Sequence, residues 1–248
     1  MEITIPHRYC GPPESGNGGW VCGTLAAHVP TTSPRPAVTV RLASPPPLDR
    51  AMSLEAEPAD GGVLLRLVDR GHLVASGTAS PDLVDDVPPA VTLEQARAAE
   101  TRYEGLADHP FPTCFACGTG RDPDDALCLR PGPLGDGTGR YAASWVPREV
   151  TGPLVWAALD CPGGWSAGIA GRPMVLGTMT GRVLALPAVG EPHVVLAWQR
   201  GSEGRKHHSG SALFTAGGAL LARAEATWIA VDPTTFRPTS PAQFQDRP

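Results

Sequence analysis

Lysine is all but missing from this sequence: Lys206 is the sole one in 248 residues, and the remaining cationic charge rests on arginine. Twenty Lys and Arg against 25 Asp and Glu leave a formal net charge of −5, so there is no general basic field for nucleic acid or an anionic membrane surface. No stretch reaches 18 uninterrupted apolar residues, which argues against a membrane-spanning helix. The opening MEITIPHRYCGPP lacks the basic-then-apolar layout of a secretory signal, and a cytoplasmic location is expected. In that setting six scattered cysteines read as reduced thiols or metal ligands, not as a disulfide framework. Hydrophobic content of 42% is that of a folded protein, while 29 Gly and 28 Pro predict many turns and long irregular connections.

What the chain does contain is a repeat. GHLVASGTA, from Gly71 to Ala79, returns as GALLARAEA from Gly218 to Ala226, with Gly, Leu, a branched aliphatic, Ala and Ala in matching places. Each copy closes a run of strand-like sequence that follows a glycine-led helical segment, GGWVCGTLAAHV from Gly18 and GPLVWAALDCPGGW from Gly152. Two copies of one α+β unit, each a helix followed by antiparallel strands, are expected to form a pseudo-dimer. The boundaries read as 1–82 and 109–232 for the two units, 83–108 for a linker with one surface helix, and 233–248 for an irregular tail.

Within the first unit a short N-terminal strand precedes a helix that ends at Pro30, and strands follow at AVTVRLAS, MSLEAE, GVLLRLVD and HLVASGTA. In the linker, Thr92 caps a run of good helix formers. The second unit offers strands at ALCLRPG and GRYAASWVP, then a helix from Pro153 to Asp160 or Cys161 that Pro162 should stop. Strands at VLGTMTGRVLAL, HVVLAWQRG, HHSGSALFTA and ALLARAEATWIAV complete it.

A helix wrapped by an antiparallel sheet, twice in one chain, resembles the double hot-dog arrangement of the acyl-CoA thioesterase II family. Members often open the first helix GGQVVGQAL, and GGWVCGTLA stands here from Gly18. Their last strand carries a G-x-LVA run, to which Gly71–Ala75 and Gly218–Ala222 are similar. The resemblance spans roughly Gly11 to Val231 and implies an α+β double hot-dog acting on an acyl-CoA or acyl-carrier thioester, in fatty acid metabolism. It needs no cofactor beyond the coenzyme A moiety of the substrate. It places a catalytic aspartate at Asp160 and a hydroxyl that positions water at Thr178. The family's glutamine would fall at Ala226, where it is missing. That departure keeps a non-catalytic acyl or acyl-thioester binding protein open as the alternative.

Hydrolysis also needs a donor to the thioester carbonyl, and the helix start at Gly152 would supply unpaired N–H groups and a positive dipole end. Asp160 is the single acid of its helix; in an apolar surround its basicity would rise, although it could instead bond backbone N–H groups in the turn before Cys161 and Pro162. The first helix carries no acid and reads as a structural copy. Arg205 and Lys206 could hold the phosphates of coenzyme A or a carrier protein's phosphopantetheine, or form a solvated turn. Trp156, Trp198, Trp165 and Trp228 would line an acyl tunnel or fill the core. His109, Cys114, Cys117 and Cys128 form H-x4-C-x2-C-x10-C, a spacing that suits zinc or a buried turn with free thiols. A hydratase would need an Asp–His pair on one helix and its following loop, a pattern absent here. A small-molecule acyl thioester, with or without an acyl carrier protein, is the expected partner, and the chain would work as a monomeric pseudo-dimer or a homodimer.

Overall fold

A computed structural model describes residues 1–60, 62–84 and 87–232; the tail expected at 233–248 lies outside them. Alternating apolar residues build the first unit from β1 (Glu2–Thr4), α1 (Gly18–Ala26), β2 (Ala37–Leu42), β3 (Ala51–Ala59), β4 (Gly62–Asp69) and β5 (His72–Ser80). After α2 (Leu93–Glu100) and the two-residue β6 (Gly132–Pro133), the second unit runs through β7 (Arg140–Trp145), α3 (Gly152–Ser166), β8 (Met174–Val183), β9 (His193–Glu203), β10 (Lys206–Thr215) and β11 (Leu220–Ala230).

The strands form one antiparallel sheet ordered β1-β3-β4-β5-β2-β8-β11-β10-β9-β7-β6. Read outward from the β2–β8 pair, its halves are β2-β5-β4-β3-β1 and β8-β11-β10-β9-β7, the same path taken twice. The two copies of the sequence repeat become β5 and β11, each next to its seam strand. Register at the seam runs from Val38 opposite Gly181 to Arg41 opposite Thr178, and the Thr39 and Thr180 hydroxyls meet there at 2.8 Å. This is the α+β double hot-dog.

The two helices lie back to back and antiparallel inside the sheet. At Gly19 a side chain would meet the Trp156 carbonyl oxygen at 2.6 Å and Asp160 Cβ at 2.4 Å, and at Gly23 it would meet Pro153 Cα at 2.7 Å. Glycine four residues apart on one face of α1 therefore permits a spacing that alanine would not. One helix falls short of the expected length: α1 has nine residues, whereas α3 has 15 and continues through Pro162 to Ser166. An interior proline costs a helix roughly 3 kcal/mol. Here the last turn buries Trp165, 1% exposed, and Gly163 and Gly164 let it approach Ser209 and Trp228, so packing outweighs the lost hydrogen bond.

One further element differs from expectation. ALCLRPG is not a strand over most of its length: Leu127 and Leu129 donate to the carbonyls of Phe115 and Ala116, and Cys128 between them takes a left-handed φ of 50°. The helix at 93–100 is capped by a reciprocal Thr92–Gln95 box and packs Ala96 and Ala99 on the outer sheet face against Ala142, Val194, Leu196 and Phe214. With α3 on the other face, that explains why β9 reads as the unbroken apolar run VVLAW. Among the described residues no helix is long and apolar enough to cross a membrane.

Gly23→Ala should lower unfolding stability by about 1–3 kcal/mol, because the obstructing atom is backbone and one helix must shift. Urea unfolding measures this, and an unchanged midpoint would mean that the helix pair relaxes freely.

Candidate functional site

Asn17 begins the site. It precedes the first turn of α1, and its Oδ1 accepts the Trp20 N–H at 2.9 Å, the ordinary work of an N-cap. Its Nδ2 donates to Asp160 Oδ2 at 3.3 Å, and the Gly19 N–H donates to the same oxygen at 2.8 Å. The carboxyl group of α3 therefore sits on the positive end of α1. Asp160 is 2% exposed, and its Oδ1 has no hydrogen-bond partner among the described residues. Burial pushes its pKa up to about 7, against the opposing pull of the Gly19 N–H and Asn17.

This carboxyl group lines a cavity of about 240 Å³ bounded by the start of α1, the 42–46 segment after β2, α3 and the first residues of β8. Most of its wall is apolar, including Trp165, Ile169, Leu176 and Trp228. Polar groups gather at one end, where Asn17, Asp160, His109, Cys114, Cys117 and Cys161 all reach the surface of the cavity.

The other expected residues separate. Gly152 opens α3 at its far end, eight residues and about 12 Å of helix from Asp160. The helix start beside the acid belongs to α1, at Gly18 and Gly19, so the helix expected as a structural copy meets Asp160 directly. Thr178 stands opposite Thr227, Leu176 opposite Trp228, and Gly177 is the extra residue between them. That bulge turns the fully buried Met179 inward and Thr178 to the other face. Ala226 pairs with Met179 and so shares its inward face.

Among the tryptophans, Trp165 and Trp228 line the cavity. Trp156 is core, packed on Gly23 and Gly181, and Trp198 covers Gly210 on the outer face near α2. Arg205 and Lys206 are exposed at the β9–β10 turn; Lys206 stands in register with Ile229, a residue of the cavity wall.

The sulfur set also changes. Cys114, Cys117 and Cys161 bring their Sγ atoms within 4.8 Å of one another, while Cys128 turns away and donates to the Arg121 carbonyl at 3.8 Å. His109 does approach Cys117, its Nε2 lying 3.4 Å from the sulfur and 3.1 Å from the carbonyl oxygen. Sequence reasoning missed Asn17, Gly18 and Gly19 as site residues, although Asn-Gly-Gly before an apolar helix is a readable N-cap signal.

No family model and no curated protein matches the sequence. Solved structures do match the fold. A conserved protein of unknown function with a hot-dog fold from Alicyclobacillus acidocaldarius is 18% identical, with 94% of this chain and 93% of that one covered, at a TM-score of 0.63. The acyl-CoA thioesterase II TesB2 of Mycobacterium marinum is 14% identical over 95% and 94%, at 0.59. The dehydratase domain of a mycocerosic acid synthase-like polyketide synthase is 11% identical over 94% and 91%, at 0.62.

Asn17→Ala removes both the cap of α1 and a donor to a buried carboxyl group, and should cost about 1–2 kcal/mol in chemical denaturation. Asn17→Ser should recover the capping share; equal losses in both variants would assign the whole effect to the Asp160 contact.

Proposed function

We propose that the protein hydrolyses an acyl thioester by means of a water activated by Asp160. The observation that carries this reading is the division of labour within one carboxyl group. Oδ2 is tied to Gly19 and Asn17, which fixes the side chain, while Oδ1 is buried and without a hydrogen-bond partner among the described residues, in a residue that lines an apolar cavity. Water bonded to Oδ1 gives its proton to Asp160 as its oxygen attacks the carbonyl carbon. The oxyanion that forms is stabilised by the Gly18 amide at the start of α1, a residue that lines the cavity, since the Gly19, Trp20 and Val21 N–H groups already bond Asp160 and Asn17. Collapse breaks the C–S bond, and the departing thiolate takes the proton back from Asp160, leaving a carboxylic acid and a free thiol.

In this scheme Asn17 is a positioning residue that holds Asp160, a task for which Thr178 faces the wrong way and Ala226 lacks the groups. The acyl chain lies along Ile169, Leu176 and Trp228. Arg205 and Lys206, one strand pair from Ile229, are the cations offered to the phosphates of coenzyme A or of a carrier's phosphopantetheine. The acyl-CoA thioesterase among the structural relatives supports the substrate class.

A binding protein without turnover is the second reading, favoured by Ala226 in place of the family's glutamine. Hydration chemistry is less well served, although His109 shares the cavity with Asp160. Its Nδ1 accepts the Phe111 N–H at 2.9 Å, and its Nε2 faces Cys117, so the imidazole is already engaged.

Thiol release from short, medium and long acyl-CoAs tests the reading. Asp160→Asn, which keeps an acceptor for Gly19, should lower kcat by roughly 10²–10⁴-fold while ligand-induced thermal stabilisation persists. Turnover that survives this substitution removes Asp160 from the mechanism. Silence across the panel with stabilisation retained supports the binding protein. Lys206→Ala should raise KM several-fold with kcat unchanged.

A further inference from the structure

We propose that Cys114, Cys117 and Cys161 hold a divalent transition metal of the zinc class, with its fourth coordination position facing the cavity. Their Sγ atoms lie within 4.8 Å of one another, and those of Cys114 and Cys161 are 3.6 Å apart. Thiolates about 2.3 Å from a tetrahedral zinc stand about 3.8 Å from each other, so the cluster needs little adjustment to close on an ion. Local structure builds this arrangement. The turn after Phe111 returns the Gly118 N–H to the Cys114 carbonyl at 2.8 Å, a curl so tight that a Cβ at Gly118 would meet that oxygen at 2.5 Å. Both sulfurs of the C-x2-C pair thereby reach the side where α3 presents Cys161.

The surroundings suit thiolates. Asn17 Nδ2 lies 3.7 Å from Cys114 Sγ and 3.8 Å from Cys161 Sγ, and His109 Nε2 lies 3.4 Å from Cys117 Sγ. With one Asn17 hydrogen on Asp160, the other is shared between Cys114 and Cys161, and His109 serves Cys117, which partly offsets the single negative charge that three thiolates and a divalent ion would bury. The role of His109 follows from its other nitrogen. Because Nδ1 accepts the Phe111 N–H, the proton of the neutral ring sits on Nε2, which then donates to Cys117 and leaves no lone pair for a metal. His109 is a supporting group, and Cys128 has no part in the site. All three cysteines line the cavity, so an ion bound by three thiolates keeps one position toward it, as in open zinc centres. The site does not depend on thioester hydrolysis.

Titration of the chelator-stripped full-length protein with Co²⁺ under reducing conditions tests the proposal. One Co²⁺ per chain is expected, with an intense thiolate-to-cobalt charge-transfer band that Zn²⁺ abolishes. Cys114→Ser and Cys161→Ser should lose most of that band. Cys128→Ser should keep it, and His109→Gln should keep it with affinity weakened by roughly 10–100-fold. A wild-type protein without the band overturns the proposal whatever the variants do. Full band intensity in Cys161→Ser, or two thiols locked as a Cys114–Cys161 disulfide that resists reductant, overturns it as well.

Discussion

The close antiparallel crossing of α1 and α3 is the constraint on which the site depends. Gly19 and Gly23 remove the side chains that would separate the helices, and the start of α1 then falls on the middle of α3. At that depth the first N–H groups of α1 are out of reach of bulk water and need an acceptor. Asp160 is that acceptor, and the helix end in turn keeps a buried carboxyl group supplied with donors. Neither group would be tolerable alone. A buried acid without donors would raise the cost of folding, and a buried helix end without an acceptor would do the same.

The repeat and the alternation of apolar residues made most of the sheet legible. The copies at Gly71 and Gly218 became equivalent strands on either side of one seam, and Asp160 was recognisable as the one acid in an apolar helix. The readings that failed did so where the answer lay between segments. A helix start was sought on the helix that carries the acid, but two antiparallel helices bring the beginning of one beside the later turns of the other. Thr178 rests on the family resemblance alone, and the extra residue Gly177 turns it to the other face of β8. Cys128 was grouped with Cys114 and Cys117 by spacing, whereas its left-handed backbone turns it away and α3 supplies the third sulfur. Pro162 was given its usual meaning, which the buried packing of Trp165 overrode.

The two halves share a path but not an endowment. Counting from Gly18 and from Gly152, Asp160 corresponds to Ala26, so the second helix-end junction has no acid to place. The polar groups accordingly gather at one end of the helix pair. The halves divide their contributions to that end: the first supplies the amide groups and Asn17, the second the carboxyl group and the sulfurs.

The seam between β2 and β8 joins two units of one polypeptide, and this has a consequence for how such a molecule can change. In a dimer of identical chains every substitution is made twice, and two matching centres must be kept or lost together. A chain that contains both halves escapes that symmetry, because each half can drift while its partner stays fixed. One junction can then become a plain packing contact, and the other can accumulate cysteines, an amide and an acid that no symmetric pair would carry at a single centre.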